Sequence, residues 1–126
     1  KAGTHDFERD FSLETKMTFL SGDEGNFYGI MWGNIRNIFY FYGITANGNY
    51  AYRKMAGGNW HEILSYRPSA YIRQGNAANI LTIKKKGARM EFYINGTMVD
   101  AAPADKYEGF IGFHLNHYMK VEVEYL

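Results

Sequence analysis

The stretch Ile38-Phe-Tyr-Phe-Tyr-Gly-Ile-Thr-Ala-Asn-Gly-Asn-Tyr-Ala-Tyr-Arg-Lys54 decides the class of fold. Two runs of aromatic and β-branched residues flank Asn47-Gly48, a pair suited to the positive φ angles of a hairpin turn. A two-residue loop there sets Tyr42 opposite Arg53 and Tyr52 opposite Gly43. The first pair offers a cation–π contact; the second lets a ring cover a strand glycine. On this register Tyr40, Tyr42 and Arg53 share a face. Ile38 to Ile44 carries bulky groups on both faces, so this strand is covered on both sides or lines a groove.

The same signals continue outward. Phe11, Leu13, Met17 and Phe19 alternate with Ser12, Glu14, Lys16 and Thr18, and Val121, Val123 and Tyr125 alternate with Lys120, Glu122 and Glu124. Both segments read as half-buried strands. A Lys86-Gly87 loop opposes Ile83 to Met90, Leu81 to Phe92 and Lys84 to Arg89. Asn95-Gly96 reads as a type I′ turn that pairs Phe92 with Val99 and Tyr93 with Met98. Further loops are expected at Ser21–Asn26, Ala56–Asn59, Gly75–Ala78 and Ala101–Glu108. About ten strands with turn signals every 8–12 residues describe an antiparallel sandwich.

The chain has 126 residues, 46% hydrophobic and 17% aromatic, and a formal net charge of +1. That is one domain, residues 1–126, with residues 1–6 expected as a flexible lead-in. The near-neutral balance gives no electrostatic reason to invoke nucleic acid. No apolar run reaches the roughly 18 residues of a membrane-spanning helix. The chain has no cysteine, which removes disulfides, Cys-based zinc sites and thiol catalysis. It opens without an initiator Met, so a fragment or processed form is expected.

Tyr28-Gly-Ile30, Phe39–Ile44 with Asn47-Gly48 and Tyr50, Trp60, Asn79 and Leu81, Tyr93-Ile-Asn-Gly96 and Gly109-Phe-Ile-Gly112 carry a resemblance. Over about residues 7–126 the chain resembles the concanavalin A-like (laminin G-like) jelly rolls. Within these it resembles the bacterial domain-of-unknown-function-1080, or 3-keto-disaccharide hydrolase-like, modules. The resemblance implies an all-β fold of two curved antiparallel sheets, with a concave face where relatives bind sugars. It also implies that segments 11–20 and 118–126 are neighbours.

Catalytic patterns are sparse. Retaining glycosidases need two carboxyl groups about 5–5.5 Å apart, and the Glu-x-Asp-x-Glu pattern of laminarinase-like relatives does not occur. Glu122 and Glu124 share a strand face but read as solvated gatekeepers. His5, His61, His114 and His117 form no metal-ligand motif. Asp23, Glu24 and Asn26 in a glycine-bearing loop have the oxygen chemistry of calcium ligands, though an acidic glycine-rich turn is the commoner reading. Lys84-Lys85-Lys86 with Arg89 reads as a solvated hairpin tip.

Aromatic rings beside polar groups give the leading functional reading, because sugars present C–H faces to rings and hydroxyls to Arg, Asn and His. The expected ligand-binding residues are Trp32, Tyr40, Tyr42, Arg53, Trp60 and His114, with no catalytic residue and no cofactor beyond the calcium candidates. The function expected is a recognition module binding carbohydrate on the concave sheet, in an extracytoplasmic bacterial setting. The alternatives are a glycoside-cleaving domain and a structural module that packs on a neighbouring protein domain.

Overall fold

Asn95 and Gly96 adopt φ angles of 50° and 86°, the double positive that a two-residue type I′ loop demands. They join β8 (Arg89–Ile94) to β9 (Thr97–Pro103), with Tyr93 opposite Met98 as expected. A bulge beyond that pair places Phe92 opposite Asp100 rather than Val99. The structure, a computed structural model, describes residues 3–4, 9–105, 107, 110–115 and 120–125.

The other strands are β1 (Gly3–Thr4), β2 (Phe11–Ser21), β3 (Phe27–Ile35), β4 (Ile38–Thr45), β5 (Asn49–Ala56), β6 (Asn59–Pro68), β7 (Ala78–Lys86), β10 (Phe110–Leu115) and β11 (Lys120–Tyr125). They form a six-stranded sheet ordered β1-β10-β3-β4-β5-β6 and a five-stranded sheet ordered β11-β2-β7-β8-β9. All pairings are antiparallel. The chain's two outer segments do pair, as β2 with β11. Of the expected lead-in, Gly3 and Thr4 pair with Ile111 and Phe110; the rest of residues 1–6 lie outside the described residues.

Three turns differ from the reading of the sequence. The β7–β8 loop is Gly87-Ala88, which moves the register by two and puts Ile83 opposite Phe92, Lys84 opposite Glu91 and Lys86 opposite Arg89. A shift of two keeps every side chain on its face, and it exchanges one like-charge pair, Lys84 with Arg89, for another. The β3–β4 loop is Arg36-Asn37, both at positive φ (57° and 59°), a turn that lacks the glycine signal. The consequential case is β4–β5. Its loop holds three residues, Ala46-Asn47-Gly48, so Tyr42 faces Tyr52 and Phe41 faces Arg53. A slip of one residue reverses the faces of a strand, so Arg53 leaves the side that Tyr40 and Tyr42 occupy.

The core lies between the sheets and is dominated by rings. Trp32 stacks on Tyr52 (5.7 Å, 6°) and on Tyr40 (5.9 Å, 22°), and Tyr107 meets Tyr40 edge-on at 4.7 Å. From the smaller sheet Phe92 packs against Tyr42 at 4.8 Å and Tyr52 at 4.6 Å. Three of the interior tyrosines have their hydroxyls bonded, whereas among the described residues the Tyr28 hydroxyl and Trp32 Nε1 are buried without a hydrogen-bond partner. Tyr42 donates to the Tyr93 carbonyl, Tyr52 pairs with Tyr107 at 2.8 Å, and Tyr40 donates to Asp105.

Candidate functional site

Alternation sends the other half of the central residues to the outer face of the six-stranded sheet. There Phe27, Phe41 and Ala51 form a second buried cluster, separate from the core. Gly29, Gly43 and Ala51 stand in one row across three strands. The absence of side chains in that row lets rings from adjacent rows lie down over it. A Cβ built on Gly43 would sit 2.2 Å from Phe41 Cζ, so the Phe41 ring covers the Gly43 backbone. Phe27 and Phe41 meet edge-on at 6.4 Å.

A charged pair is built on this aromatic base. The Arg53 guanidinium lies 4.4 Å from the centre of the Phe27 ring, and its Nε donates to Glu62 Oε2 at 2.8 Å. The Gly57-Gly58 hairpin sets the pair by placing Arg53 and Glu62 directly opposite one another. A bulge at Ile63 then allows Glu62 to face outward while Leu64, two residues on, enters the core. Two exposed rings flank the pair on β6. Trp60, 39% exposed, packs edge-on against Phe39 (5.7 Å) and Phe41 (6.5 Å). Tyr66, 52% exposed, meets Phe27 at 5.4 Å.

This placement divides the expected ligand-binding residues. Arg53 and Trp60 lie together on the outer face. Trp32, Tyr40 and Tyr42 do not: at 0%, 2% and 0% exposure they are core, on the face of the sheet that packs against Phe92 of the other sheet. His114 pairs through its backbone with Gly29, a register position in the row of Gly29 and Gly43; its side chain is outside those described. Phe27, Phe41, Glu62 and Tyr66 were missed. Glu62 was within reach, since a two-residue Gly57-Gly58 loop alone opposes it to Arg53.

The remaining candidates resolve into local chemistry. Asp23 Oδ1 accepts the Gly25 N–H at 2.8 Å and the Asp23 carbonyl accepts that of Asn26 at 3.1 Å, so this loop is closed by turn bonds. No group of three or more His, Cys, Asp or Glu among the described residues could hold a metal ion. His5 and His117 lie outside the described residues. On the outer face of the smaller sheet Lys84 covers the Tyr93 ring at 4.7 Å, and Lys86 and Arg89 each approach Glu91 at 3.4 Å. The Tyr93 hydroxyl donates to Glu91 at 2.7 Å, and this bond with the two cations holds the carboxyl below its ordinary range. No helix among the described residues is long and apolar enough to cross a membrane.

No family model and no curated protein sequence matches the chain. Solved structures do. The carbohydrate-binding module CBM66 of Bacillus subtilis superposes with a TM-score of 0.74 at 17% identity, covering 98% of this chain and 73% of that one. Sheep galectin-11, solved with glycerol, gives 0.65 at 11% identity over 98% and 96% of the two chains. A Caenorhabditis elegans galectin gives 0.60 at 14% identity over 96% and 99%. The fold is a jelly-roll sandwich. At these identities the likeness establishes architecture; the narrower resemblance to the 3-keto-disaccharide hydrolase-like modules rests on the motifs alone.

Proposed function

We propose that this domain is a carbohydrate-recognition module whose binding surface is the outer face of the six-stranded sheet. The observation that carries the reading is the Arg53–Glu62 pair, seated on Phe27 and flanked by the exposed rings of Trp60 and Tyr66. Arg53 spends its Nε on Glu62, so its terminal nitrogens can donate to hydroxyls, while the second Glu62 oxygen can accept from one. Trp60 and Tyr66 offer apolar faces to sugar C–H groups. The likeness to a carbohydrate-binding module and to galectins supports the same reading.

Glu62 is the single carboxylate in β3 to β6, and it is held by Arg53. A two-carboxylate glycosidase mechanism needs a second one about 5–5.5 Å away, so recognition without bond cleavage is the proposal. It sets the module outside the bacterial cytoplasm, where polysaccharides are met, as part of a larger protein.

The test is a glycan array with and without calcium on wild type and Trp60→Ala. Binding that Trp60→Ala weakens about tenfold or more, with the variant still folded at the assay temperature, supports the proposal. Calcium dependence would bring in Asp23, Glu24 and Asn26. A blank array overturns it in favour of a protein partner.

A further inference from the structure

Where β6 ends, the loop that follows it approaches the β8–β9 hairpin of the other sheet and leaves a cleft of about 300 Å³. That volume is at the small end of the range for small-molecule sites. Tyr71 and Met98 line it, and they are among the most exposed large apolar residues described, at 55% and 44%. Pro68 and Tyr50 complete its walls.

The Tyr71 ring is exposed although its backbone is fixed. Its N–H donates to Ser69 Oγ at 3.2 Å, and its carbonyl accepts from Asn95 Nδ2 at 2.8 Å. The next residue, Ile72, is buried. Asn95 is itself anchored, donating to Asn79 Oδ1 at 2.9 Å. A ring carried on a fixed backbone has only its two side-chain torsions to lose when a ligand covers it. Fixed polar groups stand beside the cleft: the Tyr50 hydroxyl and Arg67 Nη1 both donate to Asp100 Oδ2, at 2.9 and 2.7 Å.

We infer that this cleft is a second glycan subsite. Resting on the proposed function, the inference sharpens it from single-sugar recognition to recognition of a polymeric chain. The combination of one ring, one thioether and a rim of oriented hydroxyl, carboxylate and guanidinium groups suits a single pyranose or furanose unit. The cleft is too small for a helix. Both sites draw on β6, with Trp60 and Glu62 near its start and Pro68 at its end, so a polysaccharide reaching both gains affinity through effective concentration.

Methionines report on the two sites separately: Met98 lines the cleft, while the register places Met31 and Met55 on the outer face of the larger sheet. Wild type, Tyr71→Ala, Met98→Gln and Trp60→Ala are titrated with soluble glucan, xylan, mannan, galactan and fructan and with a disaccharide of each. Methionine methyl resonances are followed by NMR. The expected result is that a bound polymer moves Met98 together with Met31 and Met55. Tyr71→Ala and Met98→Gln should each weaken polymer binding about tenfold or more, leaving disaccharide binding at the outer face and the melting midpoint unchanged. A polymer that moves Met31 and Met55 but not Met98, or variants that bind it like wild type, overturn the second subsite. Movement of Met98 alone retains the cleft and removes the outer face. Absence of binding to all five polymers overturns both.

Discussion

The Arg53 guanidinium sits over Phe27, 4.4 Å from the ring centre, while its Nε engages Glu62 at 2.8 Å. Phe27 is only 5% exposed beneath Arg53 and the Tyr66 ring, beside the buried Phe41 and Ala51. A cation held this way is oriented before any ligand arrives.

Arg53→Lys keeps the charge but loses the planar fork. Sugar binding is expected to fall about tenfold or more for Arg53→Lys and for Glu62→Gln, with little change in stability, because partly exposed ion pairs contribute roughly 0–1 kcal/mol. Calorimetric titration with a glycan identified on the array, beside urea denaturation, separates the two effects.

Substitutions within the aromatic core should behave in the opposite way. Trp32→Ala and Tyr42→Ala are expected to cost about 3–5 kcal/mol each, since both side chains are fully buried. Trp60→Ala should cost less, about 1–3 kcal/mol, because its ring is only partly buried against Phe39 and Phe41. Denaturant midpoints at fixed pH decide; a mild Tyr42→Ala would contradict the packing described.

Glycines of the outer row should not tolerate a methyl group. A Cβ on Gly29 would lie 2.1 Å from the Tyr42 carbonyl oxygen, and one on Gly43 lies 2.2 Å from Phe41 Cζ and 2.5 Å from the Tyr28 carbonyl oxygen. Both Gly→Ala variants are expected to destabilise by about 1–3 kcal/mol. Gly29 should be the worse, because its three nearest contacts are all backbone, whereas the nearest to Gly43 is the end of the Phe41 ring. Thermal melts of the pair test the ranking.

Two pH limits follow from opposite shifts. The Glu91 carboxyl is held below its ordinary value of 4.5, chiefly by the Tyr93 hydroxyl and then by Lys86 and Arg89. Its contribution to stability is complete above that value and disappears as the pH falls through the lower folded value. Glu91→Gln should therefore flatten the acid limb of a stability profile. Burial raises Tyr28 from 10.0 to about 12, so the neutral phenol's contribution is full below pH 10 and is lost as the pH rises toward about 12. Ultraviolet phenolate titration with near-ultraviolet circular dichroism should show late-titrating tyrosines ionising together with loss of tertiary signal.

The strand repertoire was legible because alternation and Asn-Gly turns are local signals. Asn95-Gly96 marked a hairpin correctly, and the jelly-roll resemblance, with which the half-buried patterns of both segments agree, anticipated the pairing of β2 with β11. What could not be read was loop length at Asn47-Gly48: two- and three-residue loops use the same residues, yet they put Arg53 on opposite faces. Bulges hid the rest, since strict alternation along β6 would put Glu62 and Leu64 on one side. Arg36-Asn37 escaped because a non-glycine turn at positive φ has no compositional mark.

β6 also separates what holds the domain together from what faces outward. Of its ten residues Leu64 alone is buried, so exchanges at Trp60, Glu62 and Tyr66 disturb the folded state less than exchanges in the core. On the proposed function, variation along β6 would alter the exposed part of the surface while Phe27 on β3 and Arg53 on β5 keep its base.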